Sequence, residues 1–294
     1  MSIQITRTDG TIIQVKFLQF SGGERHIQLG ETALDDVNDT LNIRADMLSS
    51  NDVMDYLLLE SVLFNSGLSV NLEIPYFPYA RQDRVCAAGQ AFSLEVMTRL
   101  LNINSFATPT SLQKKITVWD CHSQKTTDLL KMNTRFNEVI NISPADIIQK
   151  SPSLVDIITS TNTVLICPDK GAIDRTTMIA ESFKNANQPT IICCDKQRDP
   201  LTGKILNSKV NATDLTGLTA VITDDICDGG ATFIGIAQEL RKLNCERIVL
   251  YVTHGIFSRG LDVFDGLIDQ VFTTNSFPQQ SSELLTVINF STGN

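Results

Sequence analysis

The chain has 294 residues, of which 42% are hydrophobic and 19% charged, and its formal net charge is -9. That length points to about two domains of roughly 150 residues, each long enough to bury a core without metal or disulfide staples. The acidic balance shows no basic footprint, which excludes a general nucleic-acid binder, and no stretch approaches the length that spans a bilayer. An anionic small substrate is still allowed, because phosphates are held by a few local cations, metal ions and backbone amides.

Near the amino terminus, MSIQITRTDG lacks the apolar run of a secretory signal. Thr11 to Phe17 and Thr40 to Arg44 read as strands. Asp52 to Asn65 reads as a helix with Met54, Leu57, Leu58, Ser61 and Val62 on its apolar face, capped by Ser50, Asn51 or Asp52. Val70 to Ile74 is a strand that stops at Pro75, Ser93 to Asn102 a helix and Ile116 to Trp119 a strand. A polar stretch follows, and Asn141 to Pro144 is taken as the linker, giving domains over 1–142 and 143–294.

The second half repeats the rhythm. Strands are expected over Thr163 to Cys167, Thr190 to Cys194, Leu218 to Thr223 and Arg247 to Thr253, with helices over Thr176 to Asn185 and Ala231 to Leu243. Phe233, Ile236, Leu240 and Leu243 form one stripe on the last helix. Short continuous apolar strands alternating with helices imply parallel sheets covered on both faces. The seven cysteines (Cys86, Cys121, Cys167, Cys193, Cys194, Cys227, Cys245) form no Cys-x-x-Cys pair. They read as buried thiols of a reducing compartment, with no structural zinc pattern.

Ligands of such sheets bind where strands end and helices begin. Val221 to Thr232, VITDDICDGGAT, has that form: a buried strand, Asp224 and Asp225, then Asp228, Gly229, Gly230, Ala231 and Thr232 opening a helix. The glycines let backbone amides crowd around a phosphate. The helix start adds partial positive charge, and two carboxylates suit the hydroxyls of a sugar. A capped helix after a tight turn is the bland reading of the same run.

Other runs also follow strands. PYFPYARQDR (Pro75 to Arg84) gathers aromatics with Arg81, Gln82 and Asp83, and an arginine fork can grip phosphate oxygens. VWDCHS (Val118 to Ser123) holds Asp120 and His122. CPDKGAIDR (Cys167 to Arg175) holds Asp169, Lys170, Gly171 and Ala172. CCDKQRDPLTGKI (Cys193 to Ile205) holds Lys196 and Arg198, and FSGGE (Phe20 to Glu24), THGIFSRG (Thr253 to Gly260) and TTNSFPQ (Thr273 to Gln279) complete the set. Taken singly, these are surface loops, turns before helices and a solvated hairpin.

Taken in order, the runs resemble the ribose-phosphate pyrophosphokinase family from about Phe20 to about Gln279. The Asp224–Thr232 loop alone also resembles type I phosphoribosyltransferases, whereas the RQDR, WDCH and Lys-x-Arg runs do not. A non-catalytic regulator on the same scaffold is a third reading, set against the presence of Lys196, Arg198, His122 and Asp169. Two departures stand out: VCAAGQAFS after RQDR is neutral where the family is usually basic, and Gly22 replaces a residue that is commonly polar.

The resemblance implies two similar α/β domains of the type I phosphoribosyltransferase-like fold, each a mostly parallel sheet flanked by helices. The first would bind ATP and the second ribose 5-phosphate. It implies pyrophosphoryl transfer from ATP to the anomeric hydroxyl of ribose 5-phosphate in the cytoplasm. Phe20 and Glu24 of a neighbouring subunit, with Arg81, Gln82 and Asp83, would hold ATP. Asp224, Asp225, Asp228, Gly229, Gly230, Ala231 and Thr232 would hold ribose 5-phosphate, and Asp169 to Ala172 the pyrophosphate. Mg2+ would lie by His122 and Asp169, with Lys196, Arg198 and His122 catalytic. The resemblance further implies a homo-oligomer, with a dimer as minimum and hexamers known in the family, and neither nucleic acid nor membrane as partner.

Overall fold

The computed structural model describes residues 3–30, 40–106, 112, 114–133, 136–198 and 205–292. The side chains of 105–106, 196–198 and 205–208 lie outside that description. The chain divides into two compact units, Met1–Ile142 and Ser143–Asn294.

In the first unit the elements are β1 (Ile3–Thr6), β2 (Ile12–Ile13), β3 (Val15–Gln19), β4 (Arg25–Leu29), β5 (Thr40–Ala45), α1 (Ser50–Asn65), β6 (Ser69–Ile74), α2 (Ser93–Leu100), β7 (Lys114–Trp119), α3 (Gln124–Asn133) and β8 (Glu138–Ile142). The sheet order is β2-β1-β5-β6-β7-β8. β5 to β8 run parallel, while β1 is antiparallel to both of its neighbours. β3 and β4 form a separate antiparallel hairpin.

Three expectations are corrected here. The run from Thr11 to Phe17 is broken at Gln14 into β2 and β3, which belong to different sheets. The cap of α1 is Ser49, whose hydroxyl accepts from the Asp52 amide while the Asp52 carboxylate accepts from the Ser49 amide, a reciprocal box that satisfies two helix-end donors. The buried face of α1 runs through Val53, Tyr56, Leu57, Glu60, Leu63 and Phe64, and Met54 is exposed. Residues 141–144, expected as the linker, span the junction of the two units, with Ile142 ending β8 and Ser143 capping the next helix by accepting from the Asp146 amide.

The second unit holds α4 (Pro144–Ile148), α5 (Pro152–Ile158), β9 (Thr163–Cys167), α6 (Ile173–Ser182), β10 (Thr190–Arg198), β11 (Ile205–Val210), β12 (Thr219–Cys227), α7 (Ala231–Lys242), β13 (Arg247–Gly255), β14 (Gln270–Thr274) and β15 (Leu285–Ile288). Its sheet order is β11-β10-β9-β12-β13-β14-β15, parallel throughout except for β11. Successive strand side chains point to opposite faces, and here both faces are covered. Ile166, Ile222 and Leu250 cluster with Phe233, Ile236 and Leu240 of α7. The intervening Leu165, Val221 and Val249 are equally buried, and on that side Thr176 of α6 meets Thr223 of β12 at 3.0 Å between hydroxyl oxygens. Continuous apolar strands are what two covered faces require.

Candidate functional site

β12 outruns its apolar core and carries Asp224 and Asp225 within its last turns of pleat. The Asp225 amide donates to Asp224 Oδ1 at 2.9 Å. Arg175 of α6 places Nη1 3.7 Å from both carboxylates, with only 10% of its side chain exposed. Burial and the neighbouring charge of Asp225 push the Asp224 carboxyl well above the usual carboxylate range, and Arg175 offsets part of that. The pair is therefore a loaded spring of like charge, held at a strand end where a polyhydroxyl ligand can hydrogen-bond to it.

The chain then turns through Asp228 and Gly229 into Gly230, which caps α7 in the left-handed region at φ +78°. Only glycine takes that conformation without cost, and a Cβ there would also meet Phe264 Cζ at 2.9 Å. No side chain caps α7, so its first amides face the loop. The parallel register pairs Cys227 with Gly255, which brings the segment after β13 beneath this turn. Amides of Ile256 and Phe257 donate to the Cys227 carbonyl, and the Ser258 amide donates to that of Asp228. Ser258 Oγ donates to Asp228 Oδ1 at 2.6 Å. The motif alone did not reveal this brace, since its parts lie on separate strands.

β9 ends at Cys167, and Asp169 caps the next turn by accepting from the Gly171 amide at 2.8 Å. Lys170 and Gly171 are exposed and Ala172 is buried. Burial pushes the thiols of Cys167 and Cys227 up to about 11 and about 12, so both stay neutral and are packing groups, not nucleophiles. All seven cysteines are free, with Cys86 exposed and Cys193 half-buried, so those two depart from the expected burial. Lys196 and Arg198 sit on β10, which continues past Cys194 and pairs antiparallel with β11, opposite Ser208 and Ile205. The register shifts between Gln197 and Arg198, and both cationic side chains lie outside the described residues.

In the first unit, Phe77 and Ala80 anchor the run after β6 in the core, and Tyr79 turns it at φ +62°. Arg81 and Gln82 are exposed. Asp83 is half-buried and pairs with Arg84 Nε at 3.0 Å. After β7, Asp120 is buried at φ +37°, its amide donating to the Ile142 carbonyl at 2.8 Å, and His122 emerges into solvent just beyond it. The β3–β4 hairpin presents Phe20, 58% exposed, and Glu24 at its tip. A side chain at position 22 would start 2.5 Å from a carboxylate oxygen of the exposed Glu24, whose side chain would have to move aside. The hairpin is fastened to α1 by a two-pronged pairing of Arg25 with buried Asp55.

Residues 142–279 match the phosphoribosyl transferase domain family. A ribose-phosphate pyrophosphokinase of Thermococcus kodakarensis is 24% identical over 96% of this chain and 92% of its own. One from Mycoplasmopsis pulmonis is 29% identical over 78% of this chain and 66% of its own. The resemblance to the ribose-phosphate pyrophosphokinases holds across the chain. A crystal structure of phosphoribosylpyrophosphate synthetase from Mycobacterium smegmatis superposes with a TM-score of 0.74, at 18% identity, over 95% of this chain and 87% of that one. The α/β fold with helix-flanked parallel sheets is thus the fold of that synthetase. The phosphoribosyl transferase match falls on the second unit, the one that carries the Asp224–Thr232 run. Among the described residues, no helix is long and apolar enough to cross a membrane.

Proposed function

We propose that the chain transfers the pyrophosphoryl group of ATP to the anomeric hydroxyl of ribose 5-phosphate, yielding phosphoribosyl pyrophosphate and AMP in the cytoplasm. The observation that carries this reading is the strand-end acid pair running directly into the left-handed Gly230 and the uncapped start of α7. The amides from Gly229 to Thr232, with the helix dipole, hold the 5-phosphate. Asp224 and Asp225 orient the ribose. The anomeric oxygen forms its bond to the β-phosphorus, the bond from that phosphorus to the α-phosphate oxygen breaks, and AMP leaves. The hydroxyl proton is released as that bond forms.

Arg81, Gln82 and Asp83 hold ATP, with Phe20 and Glu24 supplied by a second copy of the chain, so the working unit is at least a dimer. Phe20 stacks on the base and Glu24 accepts from its amine. Lys170, exposed on the Asp169–Ala172 turn, receives the pyrophosphate. Lys196 and Arg198 bring positive charge to the transferring group, where positioning and charge neutralisation account for most of the rate.

Among the described residues no group of three or more His, Cys, Asp or Glu side chains is arranged to hold a metal ion by itself. Mg2+ commonly takes one or two protein ligands and completes its shell with phosphate oxygens and water. Asp169 and His122 are the residues we assign to it, and when bound it neutralises the triphosphate.

The test is an AMP-release assay with ATP, ribose 5-phosphate and magnesium. AMP formed only when the sugar phosphate is present supports the reading. Pyrophosphate release that depends on a nucleobase would instead identify a phosphoribosyltransferase, and ATP binding without AMP a regulator.

A further inference from the structure

The brace beneath the proposed phosphate loop includes a cation of the THGIFSRG run to which the resemblance gives no role. Arg259 follows Ser258 in the segment after β13, and its stem lies across Gly229. A Cβ on Gly229 would meet Arg259 Cδ at 3.0 Å and Cγ at 3.5 Å. Glycine at 229 therefore lets an arginine stem close over the very loop whose amides face the ligand. Arg259 itself is exposed. Among the described residues its guanidinium makes no hydrogen bond and no ion pair.

The charge around it is one-sided. Asp224 and Asp225 lie at the end of β12 with Arg175 near both, and Asp228 follows in the turn. Asp228 is bound by the neutral hydroxyl of Ser258. A phosphate dianion bound at this turn has acidic residues on either side of it, and the helix dipole offers it only about half a positive charge. Arg259 is the cation whose backbone is pinned to the loop, through the Ser258 amide on the Asp228 carbonyl, and whose head is free to reach over it. A planar fork on a short, anchored segment suits a phosphate better than a mobile ammonium.

We propose that Arg259 is a substrate-binding residue that closes over Gly229 and grips the 5-phosphate of the sugar phosphate. The proposal rests on the reading of Gly229–Thr232 as the 5-phosphate loop. The experiment compares Arg259→Met, Arg259→Lys and Arg259→Glu with Thr232→Ala in the full-length protein. It measures kcat, KM for each substrate and calorimetric binding of ribose 5-phosphate, with melting temperatures as a check on folding.

Loss of one charged hydrogen-bonding group corresponds to about a 10- to 100-fold rise in KM for ribose 5-phosphate. Arg259→Met, which keeps a stem over Gly229 but no charge, is expected to show that rise with KM for ATP unmoved. Arg259→Lys should recover part of it, and Arg259→Glu should be worse than Met. If Arg259→Met binds ribose 5-phosphate like the wild type while Thr232→Ala does not, the arginine only covers the glycine and the proposal falls alone. If neither changes sugar-phosphate binding, the loop assignment falls and takes the proposal with it.

Discussion

The buried charge on α1 gives the sharpest test of how the first unit is held together. Glu60, fully buried, accepts from Tyr56 Oη at 2.5 Å and from Asn104 Nδ2 at 3.1 Å, and it pairs with Lys114. Lys114 is 3% exposed, donates to the Leu101 carbonyl and lies 4.4 Å from the centre of the Phe136 ring. Burial pulls its pKa down and the Glu60 charge restores part of it. Lys114→Ala leaves the Glu60 carboxylate buried without its counter-ion, which costs about 3–5 kcal/mol. For a unit of this size each kcal/mol is worth about 3 °C, so the melting temperature should fall by about 10–15 °C. Lys114→Met with Glu60→Gln removes both charges and keeps an acceptor for Tyr56, and should recover most of that loss. Lys114 opens β7 while the ligand edge lies at Trp119, about 16 Å away at strand rise. Turnover at a permissive temperature should therefore match the wild type. Calorimetric melts and an AMP assay check both halves. A Lys114→Ala melt within a few degrees of the wild type would refute the reasoning, as would a double variant no better than the single.

Further outcomes are expected at the sites themselves. Lys196→Ala should lower kcat by about 100- to 1,000-fold with both KM values nearly kept, and steady-state kinetics with near-normal turnover would remove Lys196 from the catalytic set. Gly230→Ala forces a side chain into the left-handed region and against Phe264, costing about 1–3 kcal/mol and weakening ribose 5-phosphate binding, read by melts and calorimetry. The raised Asp224 carboxyl holds a proton in the folded chain at pH values where the unfolded chain has lost it. Stability therefore falls as pH rises from the ordinary carboxylate value through the raised one and is not regained above it. Asp224→Asn should melt higher than wild type at neutral pH while losing activity, and a lower melting temperature there would contradict this sign. Arg25→Lys loses the fork to Asp55 and should raise KM for ATP but not for ribose 5-phosphate, because only the hairpin bearing Phe20 and Glu24 is loosened.

What the sequence made legible is what is local along the chain. The β12 run, its acid pair, the glycine turn and the apolar stripe of α7 are contiguous, so strand length, φ constraint and helical period can each be read from neighbours. Helix α1 was misread because Glu60 sits on its buried face. A carboxylate there breaks the apolar pattern, and the residue that neutralises it, Lys114, is on another element and out of sight of any local window. The same limit hid α3 in a stretch taken as polar: its buried face is carried by Thr126, Thr127, Leu129 and Leu130, half of it hydroxyl side chains. It also hid the brace under the proposed phosphate loop. Ser258 and Arg259 reach Asp228 and Gly229 only because β12 and β13 are adjacent and parallel, with Cys227 opposite Gly255. Strand order, not spacing, brings these residues together. A motif thus reports the half of a site that one crossover builds, and the residues that tune it come from the neighbouring crossover, where sequence alone gives no reason to pair them.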